Sequence, residues 1–469
     1  MTMTPAKEVS GVGRAALYFC FFVSGVAGLI YEVLWAKYLS LYVGSTGLAQ
    51  VIVLATFMGG LALGSRVLGA WADRVTNPLR MYAFLEFGIG VYALLFDHIF
   101  SVGRDVFIAV ARASELSAGG LISAKIAACV LSVLLPTFLM GGTLPAMGRY
   151  MMRTLKVVGP RVSLLYFLNS LGAVAGCLLA GFYLIAHFGL QFSMVAVAIL
   201  NILAAFVSLL VLSREKSVVA DAAEAPEPEE AGTLPAWATG LVLAAVGVSG
   251  AVSMMYEVGW IRLLTLVLGS STYSFSLMLA AFILGLAVGS FLLSFRKRTT
   301  GYALIFGLSE TAVGLTVLLM LPFYVKLPFW FNQIAASLNR EPATFGLYQF
   351  CTFFMCALVM IVPTILQGIT FPAAIKLLVP EIRRVGRRIG DAYAINTAGT
   401  LLGSVAAGFI GLPFLGIKGT LELAVALNSL VGIAVLFAEP RLELRRRGLA
   451  VAVVATVAVC AWYAVVMGP

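Results

Sequence analysis

Thirteen apolar runs recur along the chain, at about 14–34, 47–68, 81–97, 118–147, 162–186, 190–212, 235–258, 272–294, 301–322, 344–375, 390–412, 419–438 and 448–466. Most reach the roughly 18 residues that a helix needs to cross a hydrocarbon core of about 30 Å. Backbone polar groups inside lipid find partners only within helices or closed barrels, so runs of this length predict an all-α polytopic membrane protein. Composition agrees, with 61% hydrophobic and only 11% charged residues and a mean hydropathy of +1.02. A soluble domain of that composition lacks the polar surface to cover itself.

Basic residues set the orientation, because Lys and Arg collect in cytoplasmic loops. With the N-terminus inside, 23 of the 31 basic residues fall in the N-terminal tail or in the inner loops. Shifting the count by one span would place Arg383, Arg384, Arg387 and Arg388 outside together with Arg296, Lys297 and Arg298. The expected location is therefore the inner (plasma) membrane, multi-pass, with a cytoplasmic N-terminus. The net charge of +10 follows from this topology, so no nucleic-acid partner is expected and the lipid bilayer is the main one. No cleavable signal peptide is read at the first span. All six cysteines lie in predicted spans and the two histidines, His98 and His187, are far apart. That pattern points to no disulfide framework, no metal site and no cofactor.

The chain repeats itself. Ser24, Gly25, Tyr31, Glu32, Trp35 and Lys37 match Ser249, Gly250, Tyr256, Glu257, Trp260 and Arg262. Gly60, Gly64 and Ser65 match Gly285, Gly289 and Ser290, and Glu86 with Gly90 matches Glu310 with Gly314. PTFLMGGTLPA (136–146) pairs with PTILQGITFPA (363–373), and YFLNSLGAVAGCLLAG (166–181) with YAINTAGTLLGSVAAG (393–408). Agreement over five spans marks an internal duplication. Six spans per half is an even number, so the halves enter the membrane the same way round, as parallel repeats of secondary transporters do. The expected organisation is a six-helix repeat over 14–212, a disordered cytoplasmic linker over 213–234, a second six-helix repeat over 235–438, and an additional transmembrane helix over 448–466 that anchors or caps the bundle. The linker reading rests on its acids, prolines and alanines, which bury too little apolar area to fold.

The motifs SGxxxxxYExxW, PTxxMGGTLP and Tyr-x-x-Asn-x-x-Gly-x-x-x-Gly resemble the membrane portion of the fused major-facilitator/spermidine-synthase proteins, over nearly all of residues 15–440. The resemblance implies two parallel six-helix repeats of major-facilitator type and a connection with polyamines. The soluble aminopropyltransferase-like domain common in that family has no counterpart in this sequence, so no synthase activity is expected of it. GSRVLGAWADR (64–74) resembles the loop motif of major-facilitator transporters, with Asp73 expected to cap the next helix or to pair with Arg74 and Arg80.

An acid inside a span is costly and normally faces a bundle interior or an aqueous cavity. Glu32 and Glu257, with Tyr31, Trp35, Tyr256 and Trp260 nearby, suit a cation or a proton, since carboxylates and aromatic faces both attract positive charge. Internal pairing of the glutamates, with Lys37, Arg262 or Lys125, is the competing reading. Glu86 and Glu310 form a second matched pair. Lys125 has no matching charge, because its counterpart is Thr352, and it either binds an anion, neutralises Glu32 or snorkels to the interface. Pro136, Pro145, Pro363 and Pro372 are expected to break or kink their spans and free backbone carbonyls, with Asn169 and Asn396 as candidate partners for them. The substrate-binding candidates are thus Tyr31, Glu32, Trp35, Glu86, Lys125, Asn169, Tyr256, Glu257, Trp260, Glu310 and Asn396. Two functions fit these residues: a transporter of polyamines or other small organic cations, or a non-transporting scaffold for a separate cytoplasmic spermidine-synthase-like protein.

Overall fold

The computed structural model describes residues 11–43, 46–113, 118–152, 155–214, 235–269, 271–324, 326–337 and 344–467. The proposed linker lies outside the described residues apart from its first two. The helices are α1 (Gly11–Val43), α2 (Thr46–Ala72), α3 (Pro78–Ala113), α4 (Ala118–Gly141), α5 (Thr143–Met151), α6 (Leu155–Leu179), α7 (Ile185–Arg214), α8 (Ala236–Leu268), α9 (Thr272–Ser294), α10 (Tyr302–Tyr324), α11 (Leu327–Ser337), α12 (Phe345–Leu378), α13 (Val385–Val405), α14 (Gly416–Leu436) and α15 (Leu442–Met467). Single π-helical stretches join α6 to α7 (Ala180–Leu184) and α13 to α14 (Ala406–Leu415). No strand occurs among the described residues.

Eleven helical stretches among the described residues are long and apolar enough to cross a membrane. Two of them, Val157–Arg214 and Ile382–Leu436, hold 58 and 55 residues, and at 1.5 Å per residue each would be above about 80 Å long if straight. They turn back instead, at glycines. Gly189 has φ 73° and Gly416 has φ 69°, a left-handed backbone that a side chain disfavours. Before the first turn, Gly172 meets Phe22 and Gly176 meets Val26, so α6 runs parallel to α1 there. Beyond it, Asn201 bonds Tyr31 and Ser208 reaches Cys20, so α7 runs antiparallel to α1. Each long stretch therefore supplies two crossings, and the thirteen expected runs are accounted for.

The described residues form two compact units. The first comprises residues 1–157, 171–230 and 381–397, the second 158–170, 231–380 and 398–469. Within the first, α2 packs on α4, α3 on α7 and α4, and α1 on α7 and α2. The second repeats the scheme with α9 on α12, α10 on α14 and α12, and α8 on α14, and adds α15 against α10 and α14. Small residues set these contacts. A Cβ on Gly64 would lie 1.9 Å from the Phe138 carbonyl oxygen, and one on Gly289 would lie 1.9 Å from that of Ile365. The duplication is thus preserved down to backbone contacts. Outward faces are apolar: Phe350, Phe354, Leu358 and Val362 form an exposed stripe along α12, and Val451, Val454, Val457 and Val465 stand exposed on α15. Apolar residues left exposed along helices in this way, every fourth residue on α12, fit lipid surroundings.

The prolines meet the expectation in one repeat and not in the other. α4 passes Pro136 and gives way to α5 at Gly142, three residues before Pro145, while α12 runs through Pro363 and Pro372 without a break. A proline withholds the hydrogen bond to the carbonyl four residues back. Those carbonyls, on Ser132 and Val359, accept instead from the Tyr92 hydroxyl at 2.8 Å and the Tyr324 hydroxyl at 3.3 Å. Tyrosines on α3 and α10, and not Asn169 or Asn396, take the role, and with the freed carbonyl satisfied the helix need not open.

Candidate functional site

In the first unit, α1 turns Tyr31 and Trp35 fully into the core, one helical turn apart and stacked with ring centroids 5.3 Å apart. The Tyr31 hydroxyl donates to Asn201 Oδ1 at 2.9 Å, and Asn201 Nδ2 donates to Glu86 Oε2 at 2.6 Å. Ser24 and Tyr82 flank the same carboxyl, while Oε1 has no hydrogen bond of good geometry. One chain of polar groups thus joins α1, α7 and α3 inside an otherwise apolar core, and such a chain holds only if its members stay satisfied.

The second unit builds its version from the matching positions with different bonds. Tyr256 and Trp260 are again fully buried and stacked, at 5.4 Å. Trp260 Nε1 donates to the Tyr324 hydroxyl at 3.1 Å. Ser249 donates to Glu310 Oε1 at 2.5 Å, and Asn428 Nδ2 donates to the Glu310 backbone carbonyl at 2.7 Å. Asn201 and Asn428 were not singled out from the sequence. The signal was present: AILNIL (199–203 with Ala198) and VALNSL (425–430) place one asparagine in an apolar span at the same point of each repeat.

The other half of each Tyr-Glu pair is placed otherwise. Glu32 and Glu257 are only partly buried, because successive residues on a helix point about 100° apart. Glu32 has no hydrogen-bond or ion partner among the described residues, and a Cβ on Gly28, one turn away, would meet nothing within 4 Å. The structure therefore brings Tyr31, Trp35 and Glu86 together in one core and Tyr256, Trp260 and Glu310 in the other. Lys125 sits half-buried on α4, one turn from Cys129. Asn169 belongs to the second unit and Asn396 to the first, both half-buried. None of these three joins the buried chains. Among the described residues no group of three or more His, Cys, Asp or Glu side chains is placed to hold a metal ion.

Asp73 corrects its expected partners. Its carboxylate accepts from the backbone N–H of Gly386 at 2.9 Å and of Arg387 at 2.8 Å, and Arg149 Nε stands 3.3 Å away. It caps the start of α13, where the helix leaves N–H groups unbonded and a negative charge is favoured. Small residues allow the approach: a Cβ on Gly390 would lie 2.1 Å from the Ser65 carbonyl, and one on Gly69 would lie 2.7 Å from that of Gly386. Burial pushes the Asp73 carboxyl above its ordinary pKa, and the two backbone bonds and the charges of Arg149 and Arg387 pull the other way. As the folded value is the raised one, the proton-linked part of its contribution to stability is fully present at acid pH and lost as pH rises through that value, while the two capping bonds from Gly386 and Arg387 are made by the carboxylate itself. Asp73→Ala, which strands both N–H groups and Arg149, is expected to cost about 2 kcal/mol, and Asp73→Asn, which keeps one acceptor, about half as much. Thermal unfolding of the two purified variants checks the order; equal melting would remove the capping role.

No protein-family model matches the chain. Over 223 residues it is 27% identical to Polyamine aminopropyltransferase 2 of Streptomyces coelicolor, a match covering 45% of this chain and 36% of that protein. The chain thus spans little more than a third of the curated relative's length. Its fold is similar to a bacterial homologue of the iron transporter ferroportin in the outward-facing state, with TM-score 0.59, 14% identity, and coverage of 92% of this chain and 100% of that one. It is also similar to the human organic anion transporter MFSD10, with TM-score 0.54, 12% identity, and coverage of 92% and 100%. A third likeness is to the major facilitator superfamily transporter FucP in the outward conformation, with TM-score 0.57, 12% identity, and coverage of 91% and 98%. The chain has the all-α, multi-pass fold of the major-facilitator transporters.

Proposed function

We propose that the protein is a secondary transporter of small organic cations, polyamines among them, with Glu32 as the charge that meets the solute. The observation that carries this reading is the carboxylate of Glu32, partly buried within a span, without a partner among the described residues, and beside the open space at Gly28. A carboxylate facing lipid costs about 3 kcal/mol or more, so the side it faces is an aqueous path. Tyr31, Trp35, Glu86 and their repeats support that face from within the cores. The inner membrane, a cytoplasmic N-terminus and a cytoplasmic linker over 213–234 complete the reading, on the strength of the basic loops.

Proteoliposomes containing the protein are expected to take up labelled spermidine. Glu32→Gln keeps the shape and removes the charge, and should lower the initial rate by about tenfold, as loss of one charge-assisted contact does. Unchanged uptake by Glu32→Gln would remove Glu32 from the path. A membrane scaffold for a separate synthase-like protein is the second reading, favoured by the match to the aminopropyltransferase. It expects no flux in the same assay and co-purification of an aminopropyltransferase from native membranes.

A further inference from the structure

The two repeats agree so closely that a polar departure between them is informative. On α8, Ser249, Ser253 and Glu257 follow one another at four-residue intervals, all half-buried, on one face with a rise of about 6 Å per step. The matching residues of α1 are Ser24, Gly28 and Glu32, so only the middle position changes, from glycine to serine. A second departure lies on α12, where Gln367 stands at the position of Met140, a partly buried residue packed on the core of the first unit. The two departures touch: Ser253 Oγ donates to Gln367 Oε1 at 3.3 Å.

Gln367 is 6% exposed; its Nε2 makes no hydrogen bond among the described residues and keeps some accessible surface. An amide donor that reaches accessible space is open to a ligand's acceptor or to water. The first repeat places methionine, which has no donor, at the equivalent position.

We propose that Ser253 and Gln367 form a hydrogen-bonding subsite that selects cations carrying a second N–H or O–H group about one helical turn from the charge, with Glu257 taking the charge. The amide and the hydroxyl both donate and accept, so a diamine or polyamine fills the subsite and a quaternary ammonium leaves it unsatisfied. The inference rests on the transport reading and deepens it by naming the solute class.

The test compares initial uptake of labelled spermidine and of tetraethylammonium by proteoliposomes. The variant is Ser253→Gly with Gln367→Met, which installs the residues of the first repeat. The preference for spermidine over tetraethylammonium is expected to fall by about tenfold, the scale of one hydrogen bond to a charged group. Ser253→Ala, which removes a single hydroxyl, gives a smaller fall in the same ratio and replaces the double variant where that does not reconstitute. A preference that stays at the wild-type value in both variants, with wild-type uptake sensitive to Glu32→Gln, overturns the subsite alone. Folded wild-type protein that moves neither cation overturns the transport reading and the subsite with it.

Discussion

Alanine at Gly64 is expected to destabilise the protein by about 3 kcal/mol, and alanine at Gly289 by as much. The added carbon would sit 1.9 Å from the carbonyl oxygen of Phe138 in one case and of Ile365 in the other. Both obstacles are backbone atoms inside a helix, so the relief must come from moving α4 or α12 as a whole. Between helices in a membrane the attraction is largely close packing, so separating the pair forfeits much of what holds it. Gly59, on the same helix as Gly64, has open space at its Cβ. Gly59→Ala should therefore be neutral or slightly stabilising, since glycine in a helix costs about 0.5–1 kcal/mol relative to alanine. Thermal unfolding of the three purified variants in one detergent reads both effects. Gly64→Ala melting with the wild type would mean that the helices approach less closely than described.

Asn201→Leu carries the second large expected loss, about 3 kcal/mol. The substitution keeps roughly the same volume but leaves the Tyr31 hydroxyl without its acceptor and Glu86 Oε2 without its donor, and both residues are fully buried. Asn428→Leu should cost about 1 kcal/mol, because Asn428 bonds a helical carbonyl and the Glu310 carboxyl keeps its bond from Ser249. Adding Tyr31→Phe to Asn201→Leu removes the stranded hydroxyl and should restore part of the loss. Equal costs at the two asparagines would show that the chain through Glu86 adds nothing to ordinary packing.

Much of the fold could be read from the sequence because the bilayer restricts the options. The apolar runs ended at 186 and 412 and resumed at 190 and 419, and the glycine turns at Gly189 and Gly416 fall in those intervals. Gly172, Gly176, Gly399 and Gly403 stood out in the sequence as the paired glycines of the repeated Tyr-x-x-Asn-x-x-Gly-x-x-x-Gly motif, and each meets a backbone of α1 or α8. The site was legible in part. Tyr-Glu reads as one motif along the chain, but the helix sends its two members to different surroundings, the tyrosines into the cores and the glutamates to partly buried faces. Asn201, the partner of buried Tyr31 and Glu86, lies 170 and 115 residues from them, a separation that no local pattern reports. The same limit applies to Asp73, whose capped helix begins more than 300 residues later, and to the prolines, whose consequences were decided by tyrosines on other helices.

The make-up of the two units also bears on synthesis. Residues 158–170 belong by sequence to the first repeat and by packing to the second unit, where Gly159 meets Tyr302, Tyr166 meets Phe371 and Phe167 meets Phe291. Residues 381–397 make the reverse exchange, laying Gly386 and Gly390 against Gly69 and Ser65. A ribosome threading this chain into the membrane thus delivers all the spans of the first repeat long before the piece that completes the first unit. Until then the groove along α2 and the carboxylate of Asp73 wait without their partners. The first unit reaches its final form only when translation has passed position 397, so nascent chains released earlier leave it unfinished.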